Sequence, residues 1–308
     1  MAQTIDPALV LQYHDQVMHL FQQRFQRLRQ HVQVHTGVTG TMDSFDLLGS
    51  GNMQDITGER DADTEWQDAE STRRWSVKND FNYPILIGRN DKLEMLIDLE
   101  RGYAQNGAMA AARKADELII DAMTATAATG QTGTGTSTYS TSVPTAGGGG
   151  GNEIASGSVG LTVDKVRQAR ETLSAREAGV DDLEAGDTNA FVMVVSARQM
   201  RDLMEETEAT SSDFISDHGA RMPLVHGMIP FYMGFRLRIS SQLNTNGSSE
   251  RQVLCWHRDA AGASIWAEPE LSIDRIPTKN NATGIQYQLN MGAVRVQDEG
   301  MLSIACTE

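Results

Sequence analysis

The sequence has little cysteine, no long apolar run and too few basic residues to balance its acidic ones. Cys255 and Cys306 are too few and too far apart for a disulfide scaffold or a paired-cysteine zinc site. Because no run of about 18 apolar residues occurs, a membrane-spanning helix is excluded. The first residues lack the basic and apolar stretches of a signal peptide. We therefore expect a protein that keeps its thiols reduced in a cytosol.

The deficit of positive charge excludes a further class of protein. The 308 residues contain 26 Lys and Arg against 41 Asp and Glu, so the formal net charge is −15. A domain that binds nucleic acid by neutralising phosphates is normally basic overall or along one face. We therefore do not expect a protein whose function is to bind nucleic acid by neutralising its phosphates. The length allows about two domains of roughly 150 residues each.

The first 30 residues predict an amphipathic helix. Asp6 and Pro7 are typical of a helix start, and apolar residues from Leu9 to Leu28 recur mostly at spacings of three and four. Three basic residues lie near the end of this helix, namely Arg24, Arg27 and Arg29. An apolar helix face needs a surface to cover it, and both the same domain and a neighbouring subunit remain open.

Residues 36–58 are rich in Gly, Ser, Thr and Asp and predict an extended, weakly structured connector. An acidic stretch at 55–70 follows, and Arg73, Arg74 and Lys78 come directly after it. Residues 72–78 and 82–87 alternate in polarity as strands do. This composition predicts a long projecting hairpin with one acidic and one basic limb, which becomes ordered against another molecule. A solvated charged loop is the alternative.

The remainder of the chain predicts an α+β protein. Residues 91–127 are expected to form a long, alanine-rich spine helix with a break near Gly102. The Gly/Ser/Thr tract from 130 to about 158 is expected to be a flexible surface insertion that buries no core. Thr162 and Ser196 are typical helix N-caps. Residues 189–195 predict a buried strand, and further strands are expected at 231–240, 252–257, 263–267, 284–295 and 301–306.

No catalytic, metal-binding or cofactor-binding pattern stands out. The Gly-rich tract lacks the Gly-Lys-Ser/Thr of a phosphate loop, and the glycines of a nucleophile elbow are missing around Ser196. Cys255 and His257 flank Trp256, so on a strand both side chains point to one face. A Cys/His catalytic pair is one interpretation, and two half-buried strand residues are the other. The absence of stronger patterns favours a structural or interaction protein that uses no cofactor.

Several motifs in a fixed order resemble the major capsid proteins of tailed bacteriophages, which share the Hong Kong-97 capsid fold. They are Ile5-Asp6-Pro7-Ala8-Leu9-Val10, Leu96-Ile97-Asp98, Tyr103-Ala104-Gln105-Asn106, Val194-Val195-Ser196, Thr210-Ser211-Ser212-Asp213, Phe231-Tyr232-Met233-Gly234-Phe235, Lys279-Asn280-Asn281-Ala282-Thr283 and Met291-Gly292-Ala293-Val294-Arg295. Each motif alone is weak, and the set in this order covers nearly the whole chain.

The resemblance implies a division of the chain by function. Residues 1–50 would be the N-terminal arm, and residues 51–92 the extended loop that overlaps a neighbour. Residues 93–158 and 269–308 would form the peripheral domain with the spine helix. Residues 159–268 would form the axial domain around the hexamer and pentamer axes. The sequence offers no evident Lys/Asn/Glu set for autocatalytic crosslinking, so we expect non-covalent association.

The implied function is an icosahedral head shell that self-assembles from hexamers and pentamers and encloses double-stranded DNA without binding a specific sequence. Its implied location is the virion, and the host cytoplasm before assembly; scaffold, portal and decoration proteins are further implied partners. Candidate residues at the subunit interface are Arg24, Arg27, Arg29, Arg60, Trp66, Arg73, Arg74, Trp75 and Lys78. Reversing Arg73 and Arg74 to Glu is expected to leave a soluble subunit that forms no shells.

Two other functions remain open from the sequence. An encapsulin-type cellular compartment shell would share the fold and would enclose cargo enzymes rather than DNA. A soluble acidic enzyme that uses Cys255 and His257 belongs to a different class of protein, and loss of an activity on Cys255→Ala would support it. We also expect the acidic stretches at 55–70 and 177–208 to lie at contacts or outside, and the basic arm to face inward.

Overall fold

The structure is a computed structural model, and it describes residues 21–51, 53, 66–88, 90, 99–142, 151–184, 186–187, 190–206 and 227–308. Both helices and sheets are present, as the α+β class requires. The helices in the described part are α1 (Leu99–Thr124), α2 (Val163–Ala175), α3 (Val180–Glu184) and α4 (Ala197–Glu205). Within the described residues, every helix is too short or too polar to cross a bilayer.

The strands, in chain order, form three sheets. They are β1 (Gln33–Thr36), β2 (Met42–Leu48), β3 (Ser71–Val77), β4 (Asn79–Ile87), β5 (Ala127–Thr129), β6 (Gly135–Ser137), β7 (Glu153–Ile154), β8 (Phe191–Val195), β9 (Phe231–Tyr232), β10 (Phe235–Ile239), β11 (Arg251–His257), β12 (Ala261–Ile276), β13 (Ala282–Arg295) and β14 (Met301–Cys306). The sheet orders are β1-β12-β13-β4, β7-β14-β11-β8-β10-β9 and β2-β3-β5-β6.

Contacts between Cα atoms divide the chain into two units. The first unit comprises residues 1–25, 80–113 and 269–289, and the second comprises residues 26–79, 114–268 and 290–308. In the first unit, helix α1 lies close to β4 and β13, because a Cβ atom on Gly107 would lie 3.1 Å from Cβ of Tyr287. Asn106 Nδ2 donates a hydrogen bond of 2.9 Å to the Tyr83 hydroxyl and fixes the same packing.

The second unit has its core between the six-stranded sheet and helices α2 and α4. Strand β8 is buried along its whole length, which confirms the strand predicted at 189–195. Its alternate residues Phe191, Met193 and Val195 belong to a cluster with Val166 and Leu173 of α2 and with Met200 and Leu203 of α4. This close-packed cluster joins the six-stranded sheet to α2 and α4.

Both N-cap predictions are confirmed. The Thr162 hydroxyl accepts a hydrogen bond from Lys165 N at the start of α2. The Ser196 hydroxyl accepts from Gln199 N, and the Gln199 side chain accepts from Ser196 N, so that the two residues form a capping box. Ser196 is therefore a helix cap with no resemblance to a nucleophile elbow.

The predicted basic limb of the hairpin is strand β3, but the strand that pairs with it is β2 and not the acidic stretch that was expected. Strand β3 pairs in antiparallel register with β2 from Met42↔Val77 to Leu48↔Ser71, so β2 and β3 form the hairpin. Residues 42–48 were expected to belong to a weakly structured connector, but Phe45 is buried among Ala127, Val294 and Val296 and fixes them as a strand. The acidic segment 55–65 lies outside the described residues.

The tract from 130 to 158 differs from the predicted flexible insertion. Residues 143–150 lie outside the described part, but β6 and β7 on either side of them are strands. Tyr139 and Ile154 are buried, and the Tyr139 hydroxyl donates a hydrogen bond to Asn152 O. Small, polar composition predicted a solvated segment, but one aromatic anchor and strand pairing are enough to order its described residues.

Two helix predictions are also corrected. Residues 21–28 are not helical, because the amide groups of Arg27 and Leu28 donate to the Asp116 carboxylate rather than to carbonyl groups of a preceding turn. The part of the predicted arm helix before residue 21 lies outside the described residues. Helix α1 continues through Gly102 without the predicted break, because one glycine costs only about 1 kcal/mol in a helix of strong formers.

Candidate subunit-interface site

The predicted interface residues of β3 lie at the base of the β2–β3 hairpin. Arg73 forms an ion pair with Asp46 of the adjacent strand, and its Nη2 lies 2.8 Å from Asp46 Oδ2. The guanidinium also lies over the Trp75 ring, 5.4 Å from the centroid. This hydrogen bond from Arg73 lowers the pKa of Asp46 and raises the pKa of Arg73. Both side chains are partly exposed, so the pair orders the surface of the hairpin more than it stabilises the fold.

Arg74 points to the opposite face of β3 and is much more buried. Its side chain is 13% exposed, and Nη2 donates to Asp298 Oδ2 at 2.8 Å. Asp298 also accepts hydrogen bonds from Arg295 and from the Ser137 hydroxyl. Burial acts to raise the pKa of Asp298, but the hydrogen bond from Arg295 and the charges of Arg295 and Arg74 hold that pKa below its usual value. Arg74 therefore belongs to the internal structure of the subunit.

Trp75 connects the hairpin to the β5–β6 turn. Its indole Nε1 donates to Gly130 O at 2.7 Å. Gly133 has a φ of +74°, and a Cβ atom there would lie 3.3 Å from the Trp75 ring. The turn and β3 border an open cavity of about 730 Å³, lined in part by Asp46, Thr72, Arg73 and Gln131. The base of the hairpin is thus held by hydrogen bonds within the subunit.

Exposed apolar side chains lie at the last residue of β2 and in the described residues that follow β2 or precede β3. Leu48 is 78% exposed and Trp66 is 93% exposed, and Met53 is also fully exposed. Gly49 N donates to Glu70 O, which extends the hairpin beyond its strands. Lys78 lies at the other end, where its backbone N donates to Thr41 O at 3.1 Å. Arg60, the remaining candidate near this segment, lies outside the described residues.

The three arm arginines have different surroundings. Arg24 is exposed, and Arg29 forms a two-fold hydrogen-bonded ion pair with Glu268 at 2.6 and 3.2 Å. Arg27 Nη1 donates to the backbone oxygen of Ile239 at 2.5 Å. Among the described candidates, Arg73, Arg74 and Trp75 follow one another on β3 and so lie together. Within the second unit, the Arg27 and Arg29 guanidinium groups bind Ile239 O and Glu268, which are not part of β3.

The arrangement of Cys255 and His257 does not match an activated thiolate. Cys255 is fully buried, and burial raises its pKa well above the usual value, which is the opposite of what a nucleophile needs. In the described residues, the His257 ring accepts from Asp259 N through Nδ1 and lies 2.9 Å from Asp182 through Nε2. Asp182, His257 and Asp259 could approach a metal ion, but both ring nitrogens already have hydrogen-bond partners.

Sequence reasoning found the basic residues of β3 and missed what holds them. Asp46 binds Arg73 across the sheet, and Asp298 binds Arg74 from a distant part of the sequence. Arg295 shares the Asp298 carboxylate with Arg74. The alternation of β2 would have placed Asp46 on the face of a strand, but its pairing with β3 depends on the sheet register. No local pattern indicates the contact across 224 residues between Arg74 and Asp298.

The fold is that of the Hong Kong-97 class of phage capsid proteins. Three solved structures are similar over nearly the whole chain, and the first, from Mycobacterium phage Che8, has 16% identity, a TM-score of 0.66 and coverage of 98% of each chain. The capsid of cyanophage P-SCSP1u has 13% identity and a TM-score of 0.69, and the match covers 98% of this chain and 94% of that chain. The capsid of a native GTA particle has 14% identity and a TM-score of 0.70, and the match covers 98% of this chain and 97% of that chain. No curated protein matches the chain.

Residues 5–308 match the family model described as phage capsid protein. The chain therefore belongs to the phage capsid protein family, and it is a major capsid protein. The family match confirms the resemblance to phage major capsid proteins, and the similar solved structures confirm the predicted capsid fold.

Proposed function

We propose that this chain assembles into hexamers and pentamers that form the icosahedral head shell of a tailed phage around double-stranded DNA. The observation that carries the proposal is the β2–β3 hairpin, with its base fixed inside the subunit and its apolar end exposed. Burial of apolar side chains such as Leu48 and Trp66 against a partner lowers the free energy of the complex. A second copy of the chain is always available as that partner.

The proposal assigns a role to each part of the chain. Residues 1–50 serve as the N-terminal arm and residues 51–92 as the extended loop, to which β2 contributes the second strand. Residues 93–158 and 269–308 form the peripheral domain, and residues 159–268 form the axial domain. The subunit is in the host cytoplasm before assembly and in the virion afterwards, and scaffold, portal and decoration proteins are its expected further partners.

The first experiment tests whether the exposed end of the hairpin makes the shell. We expect wild-type chain to form closed, uniform particles in negative-stain electron microscopy. Trp66→Glu should give a folded subunit that forms no shells, because a charge replaces an apolar contact that is repeated at every interface. Val159→Glu is the matched control, because Val159 is also exposed and lies outside the hairpin. Normal particles from Trp66→Glu would contradict this role of the hairpin.

Arg73 and Arg74 have different contacts, so the double charge reversal is better tested as two single substitutions. Arg74→Glu would place a carboxylate beside the partly buried Asp298 and is expected to destabilise the subunit itself. Arg73→Glu breaks an exposed pair with Asp46 and the contact of the guanidinium with the Trp75 ring, both at the surface, so it is the cleaner test of an interface. We expect Arg73→Glu to leave the denaturation midpoint nearly unchanged and to reduce the yield of shells. An unchanged yield would remove Arg73 from the interface.

A further inference from the structure

A cluster of positive charge lies where the arm passes strand β10. Arg236 and Arg238 are two residues apart on β10, so their side chains leave the same face of the strand, while Phe235 and Leu237 enter the core on the other face. Arg27 reaches the end of this strand, because its Nη1 donates to Ile239 O. We call these three residues the β10 arginine cluster. Burial, and then the charges of Arg236 and Arg27, lower the pKa of Arg238.

Two members of the cluster bind only neutral acceptors. The Arg27 guanidinium donates to a backbone carbonyl, and Arg238 Nε donates to His31 Nε2 at 3.2 Å. Asp116 of helix α1 also lies beside Arg27, but its carboxylate accepts hydrogen bonds from the backbone amides of Arg27 and Leu28. In the described part of the chain, neither Arg27 nor Arg238 therefore forms an ion pair.

This arrangement is unexpected in a chain with 15 more acidic than basic residues. Other arginines of the same unit, such as Arg29 with Glu268 and Arg201 with Asp202, are paired with carboxylates. Arginines held close together repel one another, and an anion that enters the cluster relieves this repulsion. A guanidinium also presents a planar set of N–H donors that fits an oxyanion through two parallel hydrogen bonds.

We propose that the β10 arginine cluster contacts the phosphate backbone of the DNA enclosed by the shell. The proposal rests on the proposed function, because enclosure by a shell is what brings DNA to the subunit. The contact is expected to be weak and independent of sequence, since phosphates position a duplex but do not identify bases. A small basic cluster on an otherwise acidic subunit would hold DNA at defined points and repel it elsewhere.

The test measures binding of a fluorescent 20-base-pair duplex of arbitrary sequence to the full chain by anisotropy over a range of low salt concentrations. Each phosphate contact contributes about −0.9 to the slope of log K against log salt. The double variant Arg27→Gln/Arg238→Gln is expected to weaken binding roughly tenfold and to make the slope about 2 less steep. The matched control, Arg29→Gln/Arg201→Gln, also removes two positive charges, but from arginines that are paired with carboxylates.

The control separates a local contact from a general effect of net charge. Equal weakening by both double variants, or no binding of wild-type chain at low salt, would overturn the proposal. Arg27→Gln alone provides a second test if the double variant does not fold, because Arg27 is exposed. The acidic stretch 55–70 is the competing ligand. If a peptide of these residues displaced the duplex and lost its own binding in the Arg27→Gln/Arg238→Gln variant, the cluster would be a site for that stretch, and the proposal would be overturned. Electron micrographs of the same samples report separately on shell formation, so loss of shells would contradict the proposed function instead.

Discussion

Arg295 is a fully buried cation that holds several segments of the second unit together. Its guanidinium donates to Met123 O, Ala125 O and Ser137 O, forms an ion pair with Asp298, and lies 5.2 Å from the centroid of the Tyr139 ring. These contacts connect the end of α1 and strand β6 to β13. A buried charge of this kind is tolerated only because each of its partners satisfies it.

We expect Arg295→Met to lower the free energy of unfolding by about 3–5 kcal/mol, because it leaves carbonyl groups and part of the Asp298 carboxylate without partners. Urea denaturation monitored by circular dichroism measures this change. Arg201→Met is the matched control, since Arg201 is largely exposed and its ion pairs lie on the surface of α4. The control should change stability by less than about 1 kcal/mol. A similar loss in both variants would contradict the structural role of Arg295.

Asp298 makes the same region sensitive to acid. Its pKa in the folded state lies below the usual value, so its contribution to stability is present above the unfolded pKa of about 3.9 and is lost as pH falls through the folded pKa. We expect the urea midpoint of wild-type chain to fall more steeply than that of Asp298→Asn below about pH 4. Asp164→Asn is the control, because Asp164 is 89% exposed. Parallel acid profiles for wild type and Asp298→Asn would count against this linkage.

At the scale of elements, local sequence rules predicted the parts that depend on local contacts. Ser196 and Thr162 were identifiable as caps, and β8 as a buried strand, because capping and continuous burial leave a pattern within a few residues. The arm from 21 to 28 was mispredicted because Asp116, which is about 90 positions away, takes its amide hydrogens. Strand β2 was missed because it is stabilised by pairing with β3 and by the burial of Phe45, and neither contact is visible in the local sequence.

The candidate site shows the same limit. The basic residues of β3 could be found from their charge and alternation, but the two faces of the strand have different roles. Arg73 is at the surface, whereas Arg74 is bound to Asp298 in the interior. The β10 arginine cluster depends on the arm passing a strand some 210 residues away, and no motif in either segment indicates that meeting.

The capping box of α4 can be tested directly. Ser196→Ala removes the acceptor for Gln199 N and the hydroxyl that donates to Glu308. We expect it to lower the free energy of unfolding by about 1 kcal/mol. Ser196→Asn should restore most of this loss, because Asn also accepts at an N-cap and can donate to the carboxylate. Equal stability of the Ala and Asn variants in urea denaturation would contradict the capping role.

At the scale of the whole molecule, the charge of −15 has opposite consequences for assembly and for DNA. Copies of an acidic subunit repel one another, and this repulsion weakens as the Debye length falls from about 10 Å at 0.1 M salt to about 3 Å at 1 M. Attraction between acidic and basic segments of neighbouring copies would have the reverse salt dependence. The structure favours repulsion as the larger effect, because Arg29, Arg73 and Arg74 already have carboxylate partners within their own chain.

We therefore expect added sodium chloride to increase the rate and yield of shell assembly at constant subunit concentration, measured by light scattering and by counting particles in electron micrographs. Sucrose at matched osmolality is the control for effects that do not involve charge. A yield that falls with rising salt would mean that charge pairs between subunits dominate, as the acidic 55–70 and basic 73–78 stretches suggest from sequence alone. Binding of duplex DNA to the β10 arginine cluster must weaken over the same salt range, since it depends on phosphate neutralisation. One salt titration thus separates the apolar contacts between subunits from the electrostatic contacts of the subunit with DNA.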